Sequence, residues 1–231
     1  MPPPTHAEHL AALEAEVTAC RRCPRLVAWR ERAARERPAR YAAEAYWGRP
    51  VPGFGDPAAR LLVVGLAPAA NGGNRTGRVF TGDRSGDFLF AALHAAGYAS
   101  QPSSRHRDDG LRLADAWVAA VVRCAPPANR PEPGERDACL PYLARELDLL
   151  TRLRVVVALG AFAWNGFRLA AAARGHRVSP APVFGHAAEA RIGPWWLLGS
   201  YHPSQQNTFT GRLTPAMLGD VLVRARDLAA G

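Results

Sequence analysis

The sequence contains no lysine; all 29 of its basic residues are arginines. Schiff-base chemistry by a lysine amine is therefore excluded, and only the chain's own N-terminal amine, on Pro2 if Met1 is removed, is left as a substitute. No run of eighteen apolar residues occurs, so no membrane-spanning helix is expected. The first ten residues, MPPPTHAEHL, lack the basic start and apolar block of a secretory leader. A cytoplasmic protein without a membrane partner is expected. Acidic residues are few, 20 against 29 basic, which leaves a formal net charge of +9 and a pI of about 10.4. That surplus points to a polyanionic partner, and the planar guanidinium fork suits phosphate. A GC-rich genome explains arginine in place of lysine, but not the excess over acids.

The chain has 231 residues and a 48% apolar share, enough for a packed core. We expect one domain over residues 1–231, and a monomer. Residues 6–20 read as a helix with Leu10, Leu13 and Val17 on one face. Residues 24–60 read as irregular, rich in Arg, Pro and aromatics. Four short apolar runs read as buried strands: Leu61–Leu66, Trp117–Val122, Arg154–Leu159 and Trp195–Leu198. Helical stretches at Phe88–Ala96, Glu135–Leu150, Phe162–Ala173 and Pro215–Leu228 alternate with them. This order predicts an α/β fold, a three-layer α/β/α sandwich around a mostly parallel four-stranded sheet. Ligands of such sheets bind beyond the carboxyl ends of the strands.

Polar motifs follow three of these strands. After the first comes Gly65-Leu66-Ala67-Pro68-Ala69, running on through Asn71-Gly72-Gly73-Asn74-Arg75-Thr76-Gly77-Arg78 to Phe80-Thr81-Gly82-Asp83. Its small residues allow a planar ligand or a phosphate to approach the backbone, and Phe80 offers a stacking face. It has neither the G-x4-G-K-[ST] nor the G-x-G-x-x-G pattern. Asp83 can hold a water or steady a cation; equally, it can simply cap the next helix. After the second strand, Asn129 in Cys124-Ala125-Pro126-Pro127-Ala128-Asn129-Arg130 can donate and accept at once, as reading an amide edge requires, or serve as a turn residue. After the fourth, His202 in Tyr201-His202-Pro203-Ser204 can donate to an oxygen that becomes anionic, or merely cap the strand. Ser204 can bond a phosphate oxygen, and the tail Gln205–Arg212 has the small, polar and aromatic character to enter a DNA groove.

Four cysteines form two pairs: Cys20 and Cys23 in C-x2-C, and Cys124 and Cys139 separated by 14 residues. In a cytosolic chain this favours metal over disulfide. Zinc, an iron–sulfur cluster, a redox pair and buried free thiols all remain compatible with the spacing.

Together these residues resemble the uracil-DNA glycosylase superfamily, most closely family 5. The resemblance spans roughly residues 20–215: G-L-A-P-A with N-G-G-N-R-T-G-R-x-F-T-G-D, then C-A-P-P-x-N-R, then H-P-S, in that order. It implies a structural 4Fe–4S cluster on Cys20, Cys23, Cys124 and Cys139, and single- or double-stranded DNA carrying a deaminated base as substrate. Many superfamily members place a carboxylate or Asn in the first motif. Here Leu66, Ala67 and Ala69 stand there and cannot polarise water, which the resemblance compensates through Asp83. The implied site has Asp83, His202 and Asn129 as catalytic residues. Gly65, Ala67, Pro68, Ala69 and Phe80 surround the base. Arg75, Arg130, Ser204, Asn207, Phe209 and Arg212 contact DNA, with Phe209 as the wedge that fills the gap in the base stack. Hydrolysis of uracil, and of hypoxanthine and xanthine, at the N-glycosidic bond is the implied activity, leaving the abasic site uncut. A uracil-restricted family 4 type enzyme and a module that binds damage without cutting are the alternatives.

Overall fold

The computed structural model describes residues 5–231; the candidate amine of Pro2 lies outside the described residues. Four strands form the centre of the sheet: β2 (Leu61–Gly65), β3 (Ala116–Ala120), β4 (Val155–Leu159) and β6 (Trp195–Ser200). They are parallel and run in the order β3-β2-β4-β6. Almost every residue in them is buried, as the uninterrupted apolar runs require of a sheet covered on both faces.

The period-two alternation of each strand divides the core into two layers. Leu62, Val64, Trp117, Ala119, Val156, Ala158 and Leu197 face one side. There they meet α1 (His6–Ala19), α2 (Pro24–Arg35), α5 (Pro133–Leu149) and α6 (Ala161–Ala173) through Leu10, Leu26, Leu143, Trp164 and Phe167. Leu61, Val63, Val118, Val155, Val157 and Leu198 face the other. They pack on α4 (Arg84–Ala95) and α8 (Pro215–Ala230) through Leu89, Phe90, Leu93, Leu218 and Leu222. The expected three-layer α/β/α arrangement is thus present. No described helix is long and apolar enough to cross a membrane.

Two expectations are corrected. The sheet has six strands, not four, because short antiparallel strands close both edges: β1 (Phe54–Gly55) on β3 and β5 (Glu189–Ile192) on β6. Neither carries an apolar run; β5 is largely exposed and β1 is two residues long. Second, residues 24–60 are not irregular throughout, since α2 occupies their first third. Its buried face is only Leu26, Val27 and Arg30, so its helical period is diluted by arginine. Two short helices, α3 (Gly73–Thr76) and α7 (Gln205–Phe209), also lie within stretches read as loops.

Beneath the end of β3, Arg123 and Glu146 form a buried ion pair, 1% and 3% exposed. The Trp117 indole also donates to the Glu146 carboxylate, at 3.4 Å. Removing one partner of a buried pair strands the other charge away from water. Glu146→Ala is expected to lower stability by about 3–5 kcal/mol, measured by urea denaturation.

Candidate active site

The site begins where β2 ends. Gly65 closes the strand directly beneath the Phe80 ring, and any Cβ there would collide with it. Phe80 is 8% exposed and takes a left-handed backbone (φ +52°), rare for an aromatic residue. Its carbonyl oxygen lies against Gly86 on α4, where a side chain would again collide. Past this pinned residue the chain turns through Gly82 (φ +76°) and enters α4.

Asp83 is the N-cap of that helix. Its Oδ1 accepts from the Gly86 N–H at 2.9 Å. Its Oδ2 faces Gly72, whose missing side chain makes the room. The capping reading of Asp83 is therefore met by one oxygen, and the residue also lines the cavity. Burial raises its carboxyl pKa, the Gly86 N–H opposes this, and Asp87 adds to it.

Asn129 lies in a turn after β3, with Ala128 and Asn129 both left-handed (φ +51° and +55°). Asn tolerates this conformation better than most residues. The Asn129 side chain is exposed at the cavity. His202 follows β6, its ring centroid 5.9 Å from that of Phe80. Burial pushes its imidazole pKa down to about 4. The Asn207 side-chain amide donates to the His202 carbonyl oxygen at 2.8 Å and so fixes the loop that aims the imidazole.

These loops enclose a cavity of about 430 Å3, lined by Ala67, Ala69, Phe80, Asp83, Asn129, His202 and Ser204. Leu66, Arg84, Ser85, Gln205 and Gln206 complete it. Arg84 and Ser85 went unnoticed in the sequence because they follow the motif rather than belong to it. Two candidates lie behind the wall instead of in it: Gly65 beneath Phe80, and buried Pro68 against Gly73.

The candidate DNA contacts divide in two. Arg75 is engaged within the protein: it donates to the Asn71 and Gly82 carbonyls and pairs with Glu44, with 10% of its side chain exposed. Asn207 and Ser204 are likewise occupied, Asn207 on His202 and Ser204 as the N-cap of α7. Phe209 is 67% exposed at the end of α7, with the Arg84 guanidinium 5.2 Å over its ring. Arg130 and Arg212 are exposed, and Arg212 lies over the Tyr201 ring.

The cysteines gather on the other side of the Gly-rich loop. Cys20 ends α1, Cys23 precedes α2, Cys124 follows β3 and Cys139 lies in α5. All four thiols are free and close enough for their charges to reach one another. Burial raises Cys124 to about 12, opposed by Arg30. That arginine is 2% exposed and donates to the Cys124 Sγ at 3.1 Å and the Cys20 carbonyl at 3.3 Å, while its Nε has no protein partner. The donor set is four soft sulfurs beside a buried cation, which suits a thiolate-bound anionic centre. Among the described residues no three ligand side chains are grouped to hold a single metal ion.

Comparison with known proteins identifies the family of the chain. The chain is 52% identical over 226 residues to the Type-5 uracil-DNA glycosylase of Mycobacterium tuberculosis, covering 96% of this chain and 83% of that protein. It is 53% identical over 214 residues to the Type-5 uracil-DNA glycosylase of Thermus thermophilus, covering 92% and 95%. Similarity to the Type-4 uracil-DNA glycosylase of Thermotoga maritima is lower, 32% over 155 residues, covering 67% and 69%. The family model described as Uracil DNA glycosylase superfamily matches residues 52–225. The chain belongs to the uracil DNA glycosylase superfamily.

Proposed function

We propose that this protein excises uracil from DNA by hydrolysing its N-glycosidic bond, and so starts base-excision repair. The observation that carries this reading is the convergence of Phe80, Asn129, His202 and Asp83 on one cavity at the carboxyl edge of the sheet. The names of the relatives, Type-5 uracil-DNA glycosylase, support it.

A stacked, paired base must first be extruded, at a cost of a few kcal/mol. Phe209, exposed beside the cavity mouth, fills the vacated position, and Arg130 and Arg212 neutralise phosphates. The uracil stacks on Phe80 and its amide edge is read by Asn129. As the C1′–N1 bond breaks, positive charge grows on the sugar and negative charge on the base. His202 donates to uracil O2. A neutral imidazole serves here, and burial keeps His202 neutral. The Asp83 carboxylate faces the sugar cation, orients the water that attacks C1′ and accepts the water's proton; the uracil anion leaves and is protonated by solvent, and an abasic site with a C1′ hydroxyl remains. Without lysine, the strand is left uncut. Ala67 and Ala69 leave the wall smooth where polar side chains would narrow it. This supports acceptance of hypoxanthine and xanthine as well.

We further propose that Cys20, Cys23, Cys124 and Cys139 hold a 4Fe–4S cluster. The gathering of four soft sulfur donors beside the buried Arg30 guanidinium supports it. Such a group cross-links α1 and α2 to the two ends of the Asn129 loop.

Three outcomes are expected. Free uracil is released from an oligonucleotide carrying one uracil, and His202→Ala slows single-turnover release about a hundredfold, the usual cost of a lost anion donor. Binding without release defeats the reading. Second, between about pH 6.5 and about pH 4 the unfolded chain takes up a proton at His202 that the folded chain refuses. Stability therefore rises with pH across that window. It falls on acidification, and His202→Asn, compared by thermal melting at each pH, lacks this component. Third, purified protein contains iron and absorbs near ~400 nm; Cys23→Ser and Cys139→Ser lose both. A colourless, zinc-containing preparation rejects the cluster.

A further inference from the structure

The backbone that carries His202 leaves the sheet at the end of β6. On its β5 side that strand bonds through alternate residues. The Gly199 N–H donates to the Ala188 carbonyl at 2.9 Å, and the Gly199 carbonyl accepts from the Ala187 N–H at 2.8 Å. Two residues on, the Tyr201 N–H points to the same side, but its acceptor there is not a carbonyl. The neighbouring chain turns at His186 and Ala187, the latter left-handed (φ +58°), and the His186 Nδ1 accepts from the Tyr201 N–H at 3.3 Å.

The segment that presents His186 is closely seated. The Gly185 carbonyl packs against Gly199, where a side chain would collide with it. The imidazole stacks on the Tyr201 ring, with centroids 5.1 Å apart and planes 26° from parallel. The Phe184 ring meets the same tyrosine edge-on at 6.4 Å, and the Arg212 guanidinium lies 4.6 Å over it.

The peptide unit joining Ser200 to Tyr201 is thus gripped at both polar atoms, since the Ser200 carbonyl accepts from the Gly160 N–H at 2.8 Å. On the other side of the imidazole-bearing residue, the Asn207 amide grips the His202 carbonyl. His202 stands between these two anchors. Of the side chains that supply them, His186 is the one that a proton can disable. With its proton on Nε2 it accepts at Nδ1; as imidazolium it would turn an N–H toward the Tyr201 N–H.

We propose that His186 is a positioning residue for excision: its imidazole, accepting from the Tyr201 N–H, sets the peptide that aims the His202 ring at the base. The inference rests on the excision reading and adds a residue which that reading does not use. The ionisable groups around His186 are Asp220 from α8, the Tyr201 phenol, and Arg212 over that phenol. On the adjoining strand β5, Glu189 is paired with Arg224 at 2.7 Å. Burial lowers the His186 pKa from its usual 6.5, and Asp220 opposes this. His186 is therefore an acceptor at neutral pH and ceases to be one on acidification.

The test measures single-turnover uracil release from about pH 8 to about pH 5, across the histidine range, for wild type, His186→Asn and His186→Phe. Phenylalanine keeps a ring for Tyr201 but offers no acceptor, whereas asparagine offers an oxygen that does not titrate. His186→Phe is expected to release uracil about tenfold more slowly at neutral pH, the weight of about one hydrogen bond, with unchanged affinity for an oligonucleotide carrying a non-cleavable uracil analogue. His186→Asn keeps the neutral-pH rate, and its ratio to wild type rises as pH falls. Asp83 and His202 titrate in both proteins, so the ratio reports His186. The Tyr201 amide resonance, followed by NMR without DNA, moves across the same window in wild type and not in His186→Asn. A wild-type rate in His186→Phe, a ratio flat with pH, or a Tyr201 resonance indifferent to pH overturns the proposal. So does a His186→Phe defect confined to DNA affinity. If His186→Phe does not fold, the ratio and the resonance decide. Should wild type release no uracil, the excision reading fails while the Tyr201 resonance still judges the contact.

Discussion

Asp83 and the stacking face opposite His202 are registered from one crowded contact, the Phe80 ring seated on Gly65 with its carbonyl against Gly86. An aromatic residue in the left-handed region is costly and persists only where its surroundings over-determine it. Here two glycines, one ending a buried strand and one in the first turn of a helix, leave space for a single arrangement. That arrangement sets the stacking face opposite His202 and delivers the next turn to Asp83. It also explains why a carboxylate can be both cap and site residue. The helix needs one of its oxygens, and the gap at Gly72 makes room for the other.

The cysteine region acts on the same site from behind, through backbone acceptors. The Arg30 carbonyl accepts from the buried Asn74 amide at 3.1 Å, and Asn74 lies in α3 within the Gly-rich loop. The Arg25 guanidinium donates to the Arg130 carbonyl at 3.2 Å, next to Asn129, and grips Glu135 at the start of α5. Helix α2, which Cys23 immediately precedes, therefore touches both loops that face the base. A group cross-linking the cysteines would stiffen both loops at once, an effect on positioning that needs no electron transfer.

How much of this was legible in the sequence follows from the physics of each signal. The four central strands were visible because strands buried on both faces are apolar without interruption. The edge strands were not, since Phe54–Gly55 and Glu189–Ile192 gain their order from a neighbouring strand and not from their own composition. Helix α2 was hidden by its arginines. At the site, Asp83, Asn129, His202 and Phe80 could be named from motif order, and they do meet at one cavity. What spacing could not tell was occupancy. Nothing in N-G-G-N-R-T reveals that Arg75 turns inward, or that Asn207 spends its amide on the His202 carbonyl.

The same distinction governs the charge. A surplus of +9 invites the picture of a uniformly cationic surface, yet several arginines serve as internal ties. Arg30, Arg75, Arg78 and Arg123 are largely buried, and each binds two or more acceptors on separate parts of the chain or on one carboxylate. A planar five-donor fork can satisfy such divergent acceptors where a single ammonium cannot. Arginine usage here thus has a structural component that composition alone counts as surface charge. Once those ties are set aside, Arg84 lines the base cavity, and the exposed Arg130 and Arg212 follow the site loops. The charge that reaches solvent around the site follows from which arginines the fold leaves unpaired.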